Sequence, residues 1–305
     1  MDKEQTVDDC FWHDPARKDH KNIKDKLEER AKTKIPMDGF VLAREDLSEV
    51  NLVNRAAKQG FKLTNSDLYH ANMEHAHLFM LDLSGSSLMK ANLSYANLHY
   101  ANLTDCNLLG TDFTGAKIDK AEFGEKISQE KQADASTSIA SKIDLYEQAE
   151  EIYRNLRQTA EAQGLFEMAG HFFEKEMIMR RKQLPKYSFK RWISKMVELF
   201  CGYGERPLRV IAFSMIVIFL FSIGYFFLGV NFSGDIIAYD GDKSLLSNAK
   251  NYLSCLYFSV VTFTTLGYGD ITPVGGSRVF SAIEAFTGSF TLALFVVVFV
   301  KKMTR

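Results

Sequence analysis

Nine consecutive residues, Thr262, Phe263, Thr264, Thr265, Leu266, Gly267, Tyr268, Gly269 and Asp270, carry their chemistry in the backbone more than in the side chains. They read as the end of an apolar helix followed by a short extended segment with two glycines one residue apart. A cation such as K⁺ sheds its water only where several oxygens replace the hydration shell together. Backbone carbonyls do this when successive peptides aim C=O at one axis. An ordinary strand alternates its carbonyls, so the segment must visit left-handed φ at intervals, which glycine does without steric cost. Thr265 adds a hydroxyl at the inner end, while Leu266 and Tyr268 point backwards and pack the wall. One chain supplies a quarter of such a ring, so four identical chains are implied.

The flanks supply what must hold this segment. Residues 252–263 read as a short apolar helix. Beyond Ile271, Thr272 and Pro273 comes a turn and then a long apolar run over 279–300. A matching run over 207–230 carries one charge, Arg209, at its start. Each run is long enough for a hydrocarbon core of about 30 Å. A glycine turn between two buried helices of a soluble core leaves the spacing of both runs unexplained. Glu284 is the one acid inside a span. A carboxylate there is expensive and reads as functional; its place one turn outward of Gly288 suggests a brace to the short helix through Thr262 or Thr264.

The segment resembles the potassium-channel signature, usually Thr-Val-Gly-Tyr-Gly-Asp, with Leu266 for the Val. The resemblance covers about residues 207–302 and is to the two-helix channels. It implies that carbonyls of Thr265, Leu266, Gly267 and Tyr268 bind K⁺, with Gly269 at the mouth. It implies that Asp270 sits behind this filter and bonds an aromatic of the pore helix. Tyr257 holds the place where many members carry Trp, and Thr264 and Glu284 join as filter support. Val261 replaces a bracing carboxylate found in some members, which leaves inactivation open. Gly288 matches a gating hinge, with close helix packing as the plainer alternative. Leu292, Val296, Phe299 and Val300 then face the cavity and inner mouth, where an apolar constriction closes by dewetting.

A second pattern fills the N-terminal half. From Leu63 the residues Leu68, Met73, Leu78, Leu83, Leu88, Leu93, Leu98, Leu103, Leu108, Phe113, Ile118 and Phe123 recur every five positions without a slip. Two residues before them stand small ones: Ala71, Ala76, Ala91, Ala96, Ala101, Cys106, Ala116 and Ala121. The residue between is usually Asn or Asp, as at Asn92, Asn97, Asn102 and Asn107. Leu42, Leu47 and Leu52 form an earlier run out of phase, so an insertion or bulge is expected over 53–62, and that run is a candidate end cap. A period of five fits neither helix nor strand but fits a coil turning a corner every five residues. It resembles the pentapeptide-repeat family, a right-handed square β-helix with coils stacked about 4.8 Å apart and ends that need capping. Some members mimic DNA. Here eight acids against four lysines over 61–125 are too mild for that, and no nucleic acid partner is expected. His70, His75, His77 and His99 leave metal or proton sensing open beside a plain solvent-facing role. The coil places His75 beside Tyr95.

The expected organisation is a charged leader (1–38), the repeat domain (39–125), a polar linker (126–143), a helical hairpin (144–184) opened by Asp144 and Glu147, an amphipathic interfacial helix (185–203) and an all-α pore domain (204–305). Within the last lie a span at 207–230, pore helix and filter at 250–270, and a span at 279–300. The hairpin weakly resembles one tetratricopeptide unit and cannot bury its own face, so it must pack on the coil, a sister hairpin or the pore. The helix with Phe189, Trp192, Ile193, Met196, Val197 and Phe200 opposite Lys190, Arg191 and Lys195 suits the membrane interface. It resembles the slide helix of inward rectifiers.

The net charge of −1 and apolar content of 46% average a polar N-terminal part with a very apolar C-terminal third. The four cysteines have no framework spacing and are expected to be free thiols. The charged N-terminus has no signal-peptide pattern. Lys190, Arg191, Lys195, Arg206 and Arg209 before the first span, and Lys301, Lys302 and Arg305 after the second, place both termini in the cytoplasm and the chain in the plasma (cell inner) membrane. The reading is a multidomain homotetramer: a cytoplasmic β-helix and hairpin, then a two-span pore that passes K⁺ and is gated from the N-terminal side. No voltage sensor, C-terminal gating ring, cofactor or catalytic constellation is expected. A partner of the repeats other than the lipid bilayer and three sister subunits is left open. A membrane-anchored scaffold and a weakly selective cation channel are the alternatives.

Overall fold

The five-residue repeat winds the backbone into stacked coils. In the computed structural model, which describes residues 11–14, 22–33 and 35–303, parallel bridges join Lys62 to Asp82, Asp67 to Ser87, Asn72 to Asn92 and His77 to Asn97, so the backbone returns above itself every 20 residues. Four five-residue segments make one coil. Leu68, Leu78, Leu83, Leu88, Leu93 and Leu98 are fully buried, as are Ala71, Ala76, Ala96 and Ala101. Large and small residues alternate inward because the tube has no room for two large ones. Each buried Leu contributes about 1.5–3 kcal/mol.

The Asn or Asp between them works twice. Its Oδ1 accepts from the backbone two residues on, as in Ser94 N to Asn92 Oδ1 (3.0 Å) and Thr104 N to Asn102 Oδ1 (3.0 Å). Asn92 Nδ2 then donates to Asn72 Oδ1 one coil away (3.0 Å). The corner residue is left-handed at Asn65, His70, His75, Met80, Gly85, Lys90, Tyr95, Tyr100, Asp105, Gly110, Gly115 and Lys120, with φ between 50 and 74°.

Before Leu63 the bridges change step. Val41 pairs with Asp67, Asp46 with Asn72 and Asn51 with His77, a coil six residues longer. The extra residues form a turn closed by Asn54 Nδ2 on the Gln59 carbonyl (2.9 Å), inside the expected 53–62. The out-of-phase run is therefore a stacked coil, continued by the parallel pair β1 (Met37–Asp38) and β2 (Leu63–Thr64). The covering element is α1 (Ile23–Lys32), which buries Ile23, Leu27 and Ala31 in the same core as Leu42 and Leu47. Its apolar stripe is narrow, so the stretch reads in sequence as merely charged.

At the other end stand α2 (Ser128–Ala135), α3 (Ile139–Ala162) and α4 (Phe166–Gln183). Two boundaries differ from expectation. The linker contains α2, because its Lys, Gln and Ala are good helix formers. And α3 starts at the Ser138 cap, whose Oγ accepts from Ser141 N, ahead of Asp144. The hairpin packs on the coil: Asn155 Nδ2 donates to the Thr111 carbonyl (2.6 Å), and Gln163 bonds both the Ala116 carbonyl (2.5 Å) and the Ile118 N–H (3.1 Å). These side chains satisfy backbone groups that a last coil would leave open. Phe172 meets Phe123 edge-on at 5.4 Å.

Charge pins the helices together. The buried Glu176 accepts from Arg157 (2.9 Å), Arg154 (3.3 Å) and Arg180 (3.4 Å). Glu130 accepts from Tyr153 (2.8 Å), with Lys182 at 3.5 Å. Burial works against the Asp134 carboxylate, but hydrogen bonds from Lys126, Tyr146 and Lys182 outweigh it and hold its pKa down to about 2. Arg191 Nη1 caps the end of α4 at the Leu184 carbonyl (2.7 Å). The helix carrying it, α5 (Phe189–Cys201), leaves Phe189, Trp192, Ile193 and Val197 exposed. All of this lies in or at the edge of one compact unit, Met1–Trp192.

The second unit, Ile193–Arg305, is mainly helical. Its two apolar helices, α6 (Pro207–Leu228) and α8 (Ser277–Met303), have mean hydropathy 2.5 and 2.1 in their spans. Between them lie α7 (Leu245–Phe263) and a small antiparallel sheet of order β4-β3-β5. Its strands are β3 (Val230–Phe232), β4 (Asp235–Ile237) and β5 (Ile271–Pro273). Phe232 pairs with Ile271 and Val230 with Pro273, which ties the chain just after Asp270 to the chain just after α6. At the other end Lys301 reaches Glu205 (2.7 Å) and Arg209 bonds the Glu198 carbonyl (3.0 Å).

Candidate functional site

The signature segment starts where α7 unwinds. Thr264 N and Oγ1 both bond the Val260 carbonyl (3.0 and 2.7 Å), Thr265 N bonds Thr262, and Leu266 N bonds Val261 at 3.1 Å. The negative end of α7 thus lies at the inner end of the segment, which favours a cation there. From this point the backbone alternates. Thr265, Gly267 and Gly269 are left-handed (φ 57, 57 and 79°), while Leu266 and Tyr268 are not. An alternation of period two brings successive carbonyls to one side, which a strand of uniform φ cannot do. A Cβ on Gly267 or Gly269 meets nothing within 4 Å in this chain. The glycines are required by φ, not by crowding. Leu266 and Tyr268 are 59% and 67% exposed in the single chain.

The Asp270 carboxylate lies beside the Tyr257 hydroxyl of α7. Glu284 is placed differently from expectation. It is fully buried, but Thr264 spends its hydroxyl on α7 carbonyls. The Glu284 partners are Tyr225 of α6 (2.6 Å) and Ser259 of α7. Neither was singled out in the sequence. A lone acid in an apolar run demands polar partners, yet several Ser, Thr and Tyr residues compete, and only the packing of three helices selects these two.

Gly288 lies against the end of α7. A Cβ there would stand 2.0 Å from the Phe263 carbonyl oxygen, so any side chain would force the helices apart. That geometry gives the close-packing role direct support. Leu292, Val296, Phe299 and Val300 are all substantially exposed, whereas Val298 is buried with Val210 and Cys201. The four therefore share the side of α8 that this chain leaves uncovered. In the repeat unit, His75 stacks on Tyr95 at 5.1 Å, one coil apart as expected. Among the described residues no group of three His, Cys, Asp or Glu side chains is placed to hold a metal ion. Cys106, Cys201 and Cys255 are free and buried, and burial pushes the Cys106 thiol up to about 12.

Residues 225–305 match a family described as ion channel. Residues 62–94 and 91–125 match pentapeptide repeats, in eight copies. No curated protein matches the chain. Among solved structures it is similar to HetL, a pentapeptide repeat protein involved in heterocyst differentiation regulation from the cyanobacterium Nostoc sp. Identity there is 37% over 28% of this chain and 38% of that one, with a TM-score of 0.26. It is also similar to alr5209, a pentapeptide repeat protein from Nostoc, at 28% identity over 33% of this chain and 84% of that one, TM-score 0.20. The chain thus spans 38% of the length of HetL. The chain thus joins a segment that matches pentapeptide repeats to one that matches the ion-channel family, and the second match lies over the alternating segment and the second apolar helix.

Proposed function

We propose that the protein is a potassium-selective channel of four identical subunits, passing K⁺ passively through carbonyls of Thr265, Leu266, Gly267 and Tyr268. The alternation of left-handed φ at Thr265, Gly267 and Gly269 carries this reading, because it is the backbone that carbonyl coordination of a dehydrated ion requires. The pairing of Ile271 with Phe232 and of Pro273 with Val230 supports it by holding the outer end of the segment. In this reading α6 and α8 cross the plasma membrane, both termini lie in the cytoplasm, and Leu292, Val296, Phe299 and Val300 line the inner mouth. Gly288 serves as both the packing point and the hinge. The repeats form a right-handed square β-helix and, with the hairpin, gate the inner helices through α5, whose exposed Phe189 and Trp192 seat in the interface.

The test is a reversal potential on full-length protein in planar bilayers with K⁺ on one side and Na⁺ on the other. Reversal near the K⁺ equilibrium potential, with block by Ba²⁺, is expected. Clear current reversing near zero would make the protein a weakly selective cation channel. No current from the full chain or from a chain lacking residues 1–140 would leave a membrane-anchored scaffold.

A further inference from the structure

Three helices meet at one polar point inside the channel domain. Tyr225 of α6, Ser259 of α7 and Glu284 of α8 are each 0% exposed. Tyr225 Oη donates to Glu284 Oε2 (2.6 Å), and Ser259 Oγ bonds Glu284 Oε1. Ser259 Oγ also lies 2.8 Å from the Ile218 carbonyl oxygen, on α6.

A serine hydroxyl has one proton. The Ile218 carbonyl can only accept. If Glu284 were ionised it too could only accept, and one of the two contacts at Ser259 would set lone pair against lone pair. The carboxylate would also be buried without a cation, since among the described residues no Lys, Arg or His pairs with it, a costly arrangement. With a proton on Oε1 every contact closes in one direction: Tyr225 O–H to Glu284, Glu284 O–H to Ser259, Ser259 O–H to the Ile218 carbonyl.

We infer that Glu284 is a neutral acid, and that Tyr225, Glu284 and Ser259 form a proton-bearing relay that positions the pore helix for ion selection. Ser259 sits one turn before Phe263 and Thr264, where the signature segment begins. One turn further along α8 from Glu284, Gly288 presses on the Phe263 carbonyl. The relay and this contact seat the end of α7 at two points, one polar and one steric. Tyr225 and Ser259 are positioning residues and do not touch the ion.

The inference deepens the potassium-channel reading, and its test has one arm that rests on that reading and one that does not. The independent arm is infrared difference spectroscopy of the full-length protein at neutral pH, wild type minus Glu284→Gln. A protonated-carboxyl C=O stretch present in the wild type, lost in Glu284→Gln and shifted in Ser259→Ala and Tyr225→Phe is expected. Its absence from the wild type overturns the relay. Should Glu284→Gln not assemble, the shift in Ser259→Ala reads the same band. The dependent arm is the K⁺/Na⁺ permeability ratio. Glu284→Gln keeps one donor for Ser259 and one acceptor for Tyr225 and is expected to retain it. Glu284→Ala leaves partners unpaired and is expected to lose roughly tenfold. Equal loss in both overturns the neutral acid. A wild type without selectivity overturns the channel reading, while the infrared band still decides the relay.

Discussion

The two units use the same unusual backbone for opposite ends. In the coil, every fifth residue is left-handed, and His70, Met80, Lys90, Tyr95 and Tyr100 accept that conformation despite carrying a Cβ. In the signature segment every second residue from Thr265 to Gly269 is left-handed, and two of the three are glycines. Each left-handed L-residue costs about 1–2 kcal/mol. In the coil the neighbouring turns impose the corner: Lys90 N bonds the Leu109 carbonyl (2.9 Å) and Tyr95 N bonds Thr114 (2.8 Å). In the filter reading the carbonyls are reserved for the ion: Thr265 still has its N–H on the Thr262 carbonyl (3.0 Å), but no ladder offsets the cost at positions 267 and 269, and glycine removes it there. A backbone conformer is tolerated by any residue where hydrogen bonds over-determine it, and demands glycine where function keeps those bonds open.

The largest effect on ion selection should come from forcing a Cβ onto the unsupported version. Gly267→Ala costs about 1–2 kcal/mol per subunit and should lower the K⁺/Na⁺ permeability ratio at least roughly tenfold, read by reversal potential. A retained ratio would falsify the glycine argument. Next, Leu93→Ala, which empties a fully buried site, should destabilise the repeat unit by about 2–5 kcal/mol, measured by chemical denaturation of the full chain with a probe in the coil. If the loss is under half of that, the tube collapses around gaps and does not over-determine its corners.

Gln163→Ala removes bonds to Ala116 and Ile118 and should cost about 1–2 kcal/mol. Faster hydrogen exchange at the Ile118 amide is the sharper readout. Asp134 titrates lower in the folded state than its ordinary 3.8, at about 2. Its contribution is therefore present above pH 3.8 and lost as pH falls toward 2. The Tm difference between wild type and Asp134→Asn should shrink over that window; a constant difference would mean that packing, not charge, holds the hairpin. The smallest effect belongs to Lys90→Gly. Relief of the left-handed corner slightly outweighs the added freedom of the unfolded chain, for a gain of about 0.5 kcal/mol. A marked loss would show that the Lys90 side chain, not the ladder, holds the corner.

Much of this was legible because the patterns are local. The period of five, the small residue before each Leu, the insertion before Leu63 and the stacking of His75 on Tyr95 all follow from one coil geometry. The cap was harder. Nothing in Asn155 or Gln163 marks them as partners of a coil edge some 45 residues earlier. Ile23, Leu27 and Ala31 make too narrow a stripe to stand out among charges. In the signature segment the resemblance set Asp270 beside the pore-helix aromatic by position, but Glu284 was assigned to Thr262 or Thr264 because distance along a helix was the only guide available.

The sequence by itself determined the pitch of the coil, the left-handed φ at Gly267 and Gly269, and the two apolar helices. Each is set by side-chain size, φ preference and hydropathy acting within a few residues. Only the tertiary structure decided that the hairpin closes the coil, that Gly288 admits the Phe263 carbonyl, and that Glu284 meets Tyr225 and Ser259, which lie 59 and 25 residues away. Those choices depend on which faces of separate helices meet, and a hydrogen-bonding group gives no sign along the chain of the partner that packing will bring to it.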